Sequence, residues 1–301
     1  MARDARQERD GFRLCVQAAT APALLGIALL CLMITGMAVP AFLHWGGGHA
    51  LSVVWNPAAG RFGILGMLAG SAALAVCALC LGGPLAFALL CWQLCPEDHG
   101  LLSRCSRRLM GGLIQYMTAV PTVVYGFAAV FFLTPLLREA LGGSGFCLAG
   151  AALMLALLIV PTMTLVLHAG LKARLDALLP HGPALGLSRL QLLWHCVLPQ
   201  CRSTLVAAAL LGFARALGDT LLPLMLSGNT PQLPQGPASG VRALTAHMAM
   251  TAANETGGAA YDSLFAAGFL LLCANAFMGL IARRLAASGR AEEDGAGGGR
   301  A

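Results

Sequence analysis

The chain has 301 residues, of which 58% are hydrophobic and only 11% charged, with a mean hydropathy of +0.76. A soluble domain carries about 25% charged residues, so this inventory excludes a water-exposed globular surface and leaves nothing for a nucleic-acid partner. The formal charge of +6 comes from 18 arginines and one lysine, and where they fall matters more than their sum.

In chain order, residues 1–17 form a basic tail with Arg3, Arg6, Arg9 and Arg13. Apolar stretches of roughly 20 residues, the length that crosses a bilayer core, then recur at about 18–43, 64–92, 109–137, 146–168, 203–226 and 261–282. The first is too long for a signal h-region and is followed by no clear cleavage site, so it is read as retained. This predicts an all-α polytopic membrane protein with six transmembrane helices, one domain over 18–285, and a small, glycine-rich, disordered tail at 286–301. Fifteen of the nineteen basic residues fall on one side of this topology: the two tails, the 104–108 loop and the loop at about 170–200. Arg61, Arg138 and Arg242 lie opposite, and Arg215 lies inside a span. The positive-inside rule then makes both termini cytoplasmic. The two substantial loops on the other side, around 44–63 and 229–258, are extracytoplasmic, and the second is long enough to suggest a function. Pro121, Pro135, Pro161 and Pro223 each remove a backbone donor in or near a span and favour kinks.

Enzyme signatures are lacking. There is no HExxH and no GxSxG, and the single lysine, Lys172 in "GLKAR", cannot form a Walker A loop, so ATP hydrolysis by that route needs another chain. The seven histidines lack ligand spacing, and "CALC" at 77–80 has no second CxxC, so neither a metal nor a cofactor is expected. Most of the eleven cysteines sit in apolar runs, where they act as small hydrophobes.

The segment "ALGLSRLQLLWHCVLPQCRSTL" at 184–205 is more informative. Ser188 with Gln191 fits a capping box, and Leu187, Leu190, Leu193, Trp194 and Val197 line one side of a short amphipathic helix that stops at Pro199. By periodicity alone it is equally well a helix resting on lipid headgroups. Gly186, nine residues, Cys196, then Leu198 and Pro199 resemble the G-x9-I-x-LP core of the EAA loop in ABC importer permeases. "ARALGDT" resembles the "GRALGET" of phosphate-specific permeases of the PstC/PstA type, "PTVVYGF" at 121–127 resembles their "PSVVYGL", and "RALTAHMAM", "SLFAAGFLLL" and Asn275 match the end of that family. "MLSGN" leans toward PstC. The resemblance covers about residues 50 to 285. It implies a type I ABC importer permease for inorganic phosphate, paired in the inner membrane with a second, PstA-like permease. It further implies two cytoplasmic PstB-like ATPases, docked on Leu185, Gly186, Ser188, Arg189, Leu198 and Pro199, and a PstS-like phosphate-binding protein outside. Two departures stand out: "LLPHGPALG" around Pro180, His181 and Gly182 replaces the start of the EAA loop, and Asp219 replaces the intramembrane glutamate.

Arg215 and Asp219, at i and i+4 on one helical face, are the charges well inside a span. A charge at the bilayer centre costs at least about 2.5–3.5 kcal/mol. They are therefore either an internal brace or groups facing the substrate path, and the resemblance implies the path. There Arg215 offers its planar fork of donors to phosphate while Asp219 holds that fork and accepts a proton from a phosphate hydroxyl. Thr220 and Ser227 are candidate hydroxyl donors, and Tyr125 is either a path or a packing residue. The rivals are a permease for molybdate or tungstate, a gradient-driven channel or carrier, and a regulatory membrane protein that kept the fold without transport.

Overall fold

Hydrocarbon offers the backbone no water, so every donor and acceptor crossing it must be satisfied within the protein, and open-ended segments cross as helices. The computed structural model describes residues 2–44, 52–95, 100–182, 184 and 186–297. Helix α1 (Ala2–His44) is followed by a small antiparallel hairpin, β1 (Trp55–Asn56) and β2 (Arg61–Phe62), pairing Trp55 with Phe62. Then come α2 (Leu65–Leu94), α3 (Leu101–Ala119), α4 (Thr122–Leu141) and α5 (Leu148–Leu178). Helix α6 (Arg189–Leu192) runs on through one π turn (Leu193–Val197) and a last turn (Leu198–Gln200). The chain closes with α7 (Arg202–Gly218), α8 (Leu221–Leu226), α9 (Leu244–Asn254) and α10 (Ala259–Gly297).

Among the described residues, the apolar stretches at Thr20–Leu43, Leu65–Leu94, Thr122–Leu141, Leu148–Leu178 and Ala259–Arg284 are each long enough to cross a bilayer. The α6 run and α7, bent by 81° from one another, supply the sixth crossing if counted as one. Helix α5 is the axis of the bundle: Ala152, Leu155 and Ile159 are buried against Leu74, Ala75 and Ala78 of α2. Small residues let these backbones approach closely; a Cβ on Gly82 would stand 3.0 Å from the Ala156 carbonyl oxygen. At one end, Leu90, Leu167, Leu171 and Leu175 pack on Leu192, Leu193 and Val197 of the α6 run. At the other, Ala41, Ile64, Met67, Leu244, Ala266 and Ala267 join α1, α2, α9 and α10.

Several elements depart from the sequence reading for identifiable reasons. The third span, predicted as 109–137, is two helices. In an unbroken helix the Met117 carbonyl would accept from residue 121, which is Pro121 and has no N–H. The helix stops at Ala119, restarts at Thr122, and the Tyr125 hydroxyl donates to the Met117 oxygen at 2.9 Å. The loop at 229–258 contains α9 and folds back onto the bundle. The last helix runs to Gly297, past residue 286 where composition predicts disorder; a helix already nucleated by a span extends cheaply through alanine and glutamate. Leu185 lies outside the described residues.

Helix α9, which is not one of the crossings, carries His247, only 1% exposed, under the Trp55 ring at a centroid distance of 4.5 Å. The Ser263 hydroxyl donates to the Ala260 carbonyl, so its oxygen accepts from His247 Nε2 at 3.0 Å, and Nδ1 is left to accept from Thr251. Burial, with Arg242 adding to it, lowers the imidazole pKa to about 4.

Two expectations follow from these contacts. Tyr125→Phe strands the Met117 carbonyl and should destabilise the purified protein by about 1–3 kcal/mol, read as a lowered thermal midpoint with α4 helicity kept. Because the His247 pKa is lowered in the fold, the unfolded chain binds its proton first: stability is full above about 6.5 and falls as pH drops toward about 4. His247→Gln, which does not titrate, should flatten that part of the thermal-midpoint profile between pH 7 and 4.5.

Candidate functional site

The span expected at 203–226 is broken between α7 and α8, and Pro223 accounts for the carbonyl left without a helical donor there. A continuous helix over 203–226 would aim the Asp219 carbonyl at residue 223, which has no N–H to give. The chain leaves the helix instead: α7 ends at Gly218, Asp219 is extended (φ −72°, ψ 136°), and α8 restarts at Leu221. The freed Asp219 carbonyl accepts from the Thr245 hydroxyl of α9 at 2.8 Å. The Asp219 side chain turns back to cap α8, its Oδ2 accepting from the Leu222 N–H at 2.9 Å.

This corrects the predicted pairing of Arg215 and Asp219 on one helical face. Arg215 is in the last turn of α7, whose carbonyl end favours a cation, while Asp219 lies beyond the helix and its Oδ2 is bonded to Leu222 rather than to the guanidinium. The two are still neighbours. Tyr125 packs against the buried cluster that holds Ala216, Leu217 and Leu222 on both sides of the break, so Arg215, Asp219 and Tyr125 lie around it, with Thr220, half-buried, inside it. Arg215 itself is exposed on the face of the protomer, next to buried Ala216 and Leu217. Tyr125 has a structural duty as well, closing the Pro121 kink. Ser227 is fully buried and its hydroxyl is spent on the Val241 carbonyl at 2.7 Å, so it is not a free donor.

The residues that hold this break from outside, other than Ser227, carry no mark in the sequence. The loop after α8 returns through a double tie: Val241 N–H donates to the Ser227 carbonyl and Ser227 Oγ to the Val241 carbonyl. Arg242 Nε donates to the Asn229 carbonyl at 2.9 Å. Gly70 of α2 lets the loop in, since a Cβ there would lie 2.7 Å from the Arg242 carbonyl oxygen, and Ser71 Oγ accepts the Leu244 N–H at 2.7 Å. Pro223 was the one usable signal: a donorless position in a span demands a new partner for the carbonyl four residues back.

At the far end of α7 the expected capping box is present: Gln191 N–H donates to Ser188 Oγ at 3.3 Å, and Ser188 N–H to Gln191 Oε1 at 2.9 Å. Gly186 takes φ +69°, a left-handed conformation natural to glycine. The apolar face differs from the predicted stripe. Leu193 and Val197 are buried as expected, but Leu192 is buried with them while Leu190 and Trp194 are exposed. Pro199 does not stop the helix but sits within its last turn, and the chain swings into α7 at Cys201. Arg189 is exposed, and residues 180–182 form a turn. A groove between α2, α4 and α5, lined by Leu81, Leu85, Phe132, Leu153 and other apolar residues, offers an oxyanion no partner.

A family model described as the binding-protein-dependent transport system inner membrane component matches residues 101–287. The probable ABC transporter permease protein YqgH of Bacillus subtilis (strain 168) is 29% identical over 241 residues, covering 78% of this chain and 75% of the relative. The phosphate transport system permease protein PstC of Xylella fastidiosa (strain 9a5c) is 26% identical over 262 residues, covering 77% and 76%. In fold, the chain matches an inward-facing structure of the MetNI methionine ABC transporter at a TM-score of 0.60 and 12% identity, over 75% of this chain and 95% of that one. The chain therefore belongs to the family of binding-protein-dependent transport system inner membrane components, as a permease of the PstC type with the type I ABC importer fold.

Proposed function

We propose that the chain lines, together with a PstA-like second permease, the path of inorganic phosphate through an inner membrane, with both termini cytoplasmic. Two PstB-like ATPases dock on the α6 run, and a PstS-like binding protein delivers phosphate at the hairpin end. The observation that carries this reading is Arg215: a guanidinium exposed on the protomer in the last turn of the apolar helix α7, beside the break that follows it. A charge so placed is stable only against a water-filled path or a polar partner, and irregular backbone at membrane depth is tolerated only where protein or a cavity covers it.

The chemistry suits an anion that still carries a proton. Arg215 gives two parallel donors to two phosphate oxygens. Asp219 spends Oδ2 on Leu222, and among the described residues Oδ1 accepts nothing, so it is available to the hydroxyl of hydrogen phosphate. Fully ionised sulfate has no such hydroxyl and would meet the carboxylate as a like charge. Conformational drive would enter through the α6 run. Its buried Leu192, Leu193 and Val197 seat it on the ends of α2 and α5, and it passes directly into α7, whose other end is the break. A shift of the run would therefore move α7 and the ends of α2 and α5 as a block, because packed interiors transmit strain. Leu185, Gly186, Ser188, Arg189, Leu198 and Pro199 are the proposed ATPase-facing positions.

Binding-protein-dependent uptake of labelled phosphate into proteoliposomes holding the whole complex tests the path. Arg215→Ala should lower uptake about 10- to 100-fold, as expected for losing a charged bidentate contact, with assembly and ATPase activity intact; unchanged uptake would refute the assignment. Ser188→Ala removes the α6 cap, worth about 1 kcal/mol. It should speed amide exchange at residues 190–193 and lower the ATPase stimulation caused by loaded binding protein, while leaving the amount of assembled complex unchanged.

A further inference from the structure

In this bundle one hydroxyl from the loop side reaches the backbone of the broken crossing. Thr245, 5% exposed in the first turn of α9, donates to the Asp219 carbonyl at 2.8 Å across 26 residues of sequence. The Thr35 hydroxyl, by contrast, bonds the carbonyl four residues back on its own helix, at 2.7 Å. The Thr245 bond is also set from both sides. The residue before it is tied to α2 through Leu244 N–H and Ser71 Oγ, with Gly70 giving the loop its close approach, and two residues later His247 is bonded to Ser263 of α10. A turn fixed to α2 and α10 does not follow the Asp219 peptide; the peptide follows it.

We infer that Thr245 is the positioning residue of the substrate path: its bond to the Asp219 carbonyl fixes the Asp219 peptide plane, and with it the distance between the free carboxylate oxygen and Arg215. The inference rests on the proposed path role of Arg215 and Asp219. Thr245 touches no substrate; it acts through Asp219. With Oδ2 capping α8 and the carbonyl held by Thr245, the residue is clamped at two points on either side of its Cα. Freeing the carbonyl lets the 219–220 peptide rotate and carries the carboxylate off the position in which it and Arg215 grip one anion. Geometry of this kind governs substrate handling more than assembly. Because Thr245 opens the helix to which the 228–243 loop leads, that loop, and whatever docks on it, has a direct mechanical connection to the path.

The test uses the complete complex, with its second permease, ATPases and binding protein, in proteoliposomes, and reads labelled phosphate taken up per ATP hydrolysed. Thr245→Val keeps the shape and deletes the hydroxyl; it should lower that ratio about tenfold, a loss comparable to one buried hydrogen bond. Thr245→Ser restores the hydroxyl and should return the ratio to within about twofold of wild type. Should the valine variant not assemble, Thr245→Ala, which leaves room for a water to satisfy the carbonyl without fixing it, should show the same lowered ratio. A residue with only a scaffolding role would lower uptake and ATP hydrolysis together; an unchanged ratio in the valine or alanine variant overturns the inference. Arg215→Ala in parallel separates the two readings. If it abolishes uptake while Thr245→Val keeps the wild-type ratio, the positioning role alone fails; if Arg215→Ala transports normally, the path assignment fails and the inference with it.

Discussion

Where a proline breaks a helix in a bilayer, the carbonyl that loses its donor can be answered by another group of the protein. Two such carbonyls organise this permease. Pro121 strands Met117, and Tyr125 answers from within the same hairpin of helices. Pro223 strands Asp219, and Thr245 answers from a separate element 26 residues on. The first is a local repair that lets α3 and α4 meet at an angle. The second needs a loop to fold back against the bundle, and much of the α9 end of the molecule follows from it: the glycine at position 70, the Ser71 contact and the double tie between Ser227 and Val241. Through the 237 and 239 carbonyls the same loop also caps the first turn of α5.

Much of the bundle could be read from composition and spacing. Runs of apolar residues located the first, second and last crossings to within a few positions, because length against bilayer thickness is a strong constraint, but missed the start of the third, the end of the fourth and the bounds of the bent α6–α7 pair by about ten residues. Arg215 stood out for the same reason, since a cation among apolar neighbours is expensive anywhere but at a site. Ser188 and Gln191 announced the start of α6 because a capping box is a local device, settled by four residues. What could not be read depended on distant partners. Nothing in "ALGDTLLPL" says that Asp219 will bond Leu222 and Thr245 instead of Arg215, since the i, i+4 rule presumes a helix that Pro223 then denies. The buried face of the α6 run likewise depends on a distant partner, since Leu192 is covered by the ends of α2 and α5, with which it shares a cluster.

The α6 run and the break sit at opposite ends of α7, which makes α7 a rod between two irregular joints. One joint is the 81° bend at Cys201 and the other the extended Asp219. Rods with well-packed middles move as bodies, and here the middle is packed closely: a Cβ on Gly212 would lie 2.7 Å from Met163 Sδ of α5. A displacement at the first joint is therefore delivered to the second with little loss to bending, and the residues at the second joint are Arg215, Asp219 and Thr220. Domain motions are commonly absorbed by a few element-terminal residues of this sort.

The aspartate itself can be understood in these terms. The resemblance to phosphate-specific permeases implies a glutamate at this position, and the shorter acid at first looks like a loss of reach. Asp219 is not reaching outward, however. Its Oδ2 caps the first turn of α8, a task for which aspartate is among the preferred residues and which suits its single methylene. A glutamate at 219 would carry its carboxylate past the Leu222 N–H, leaving that donor unanswered. With aspartate, one carboxylate oxygen restarts the helix and the other remains open beside Arg215, so the substitution couples the fold of α8 to the charge of the site. The shorter side chain moves the carboxylate closer to the backbone, and that places a greater demand on the backbone being held, which is the role the Thr245 hydroxyl fills.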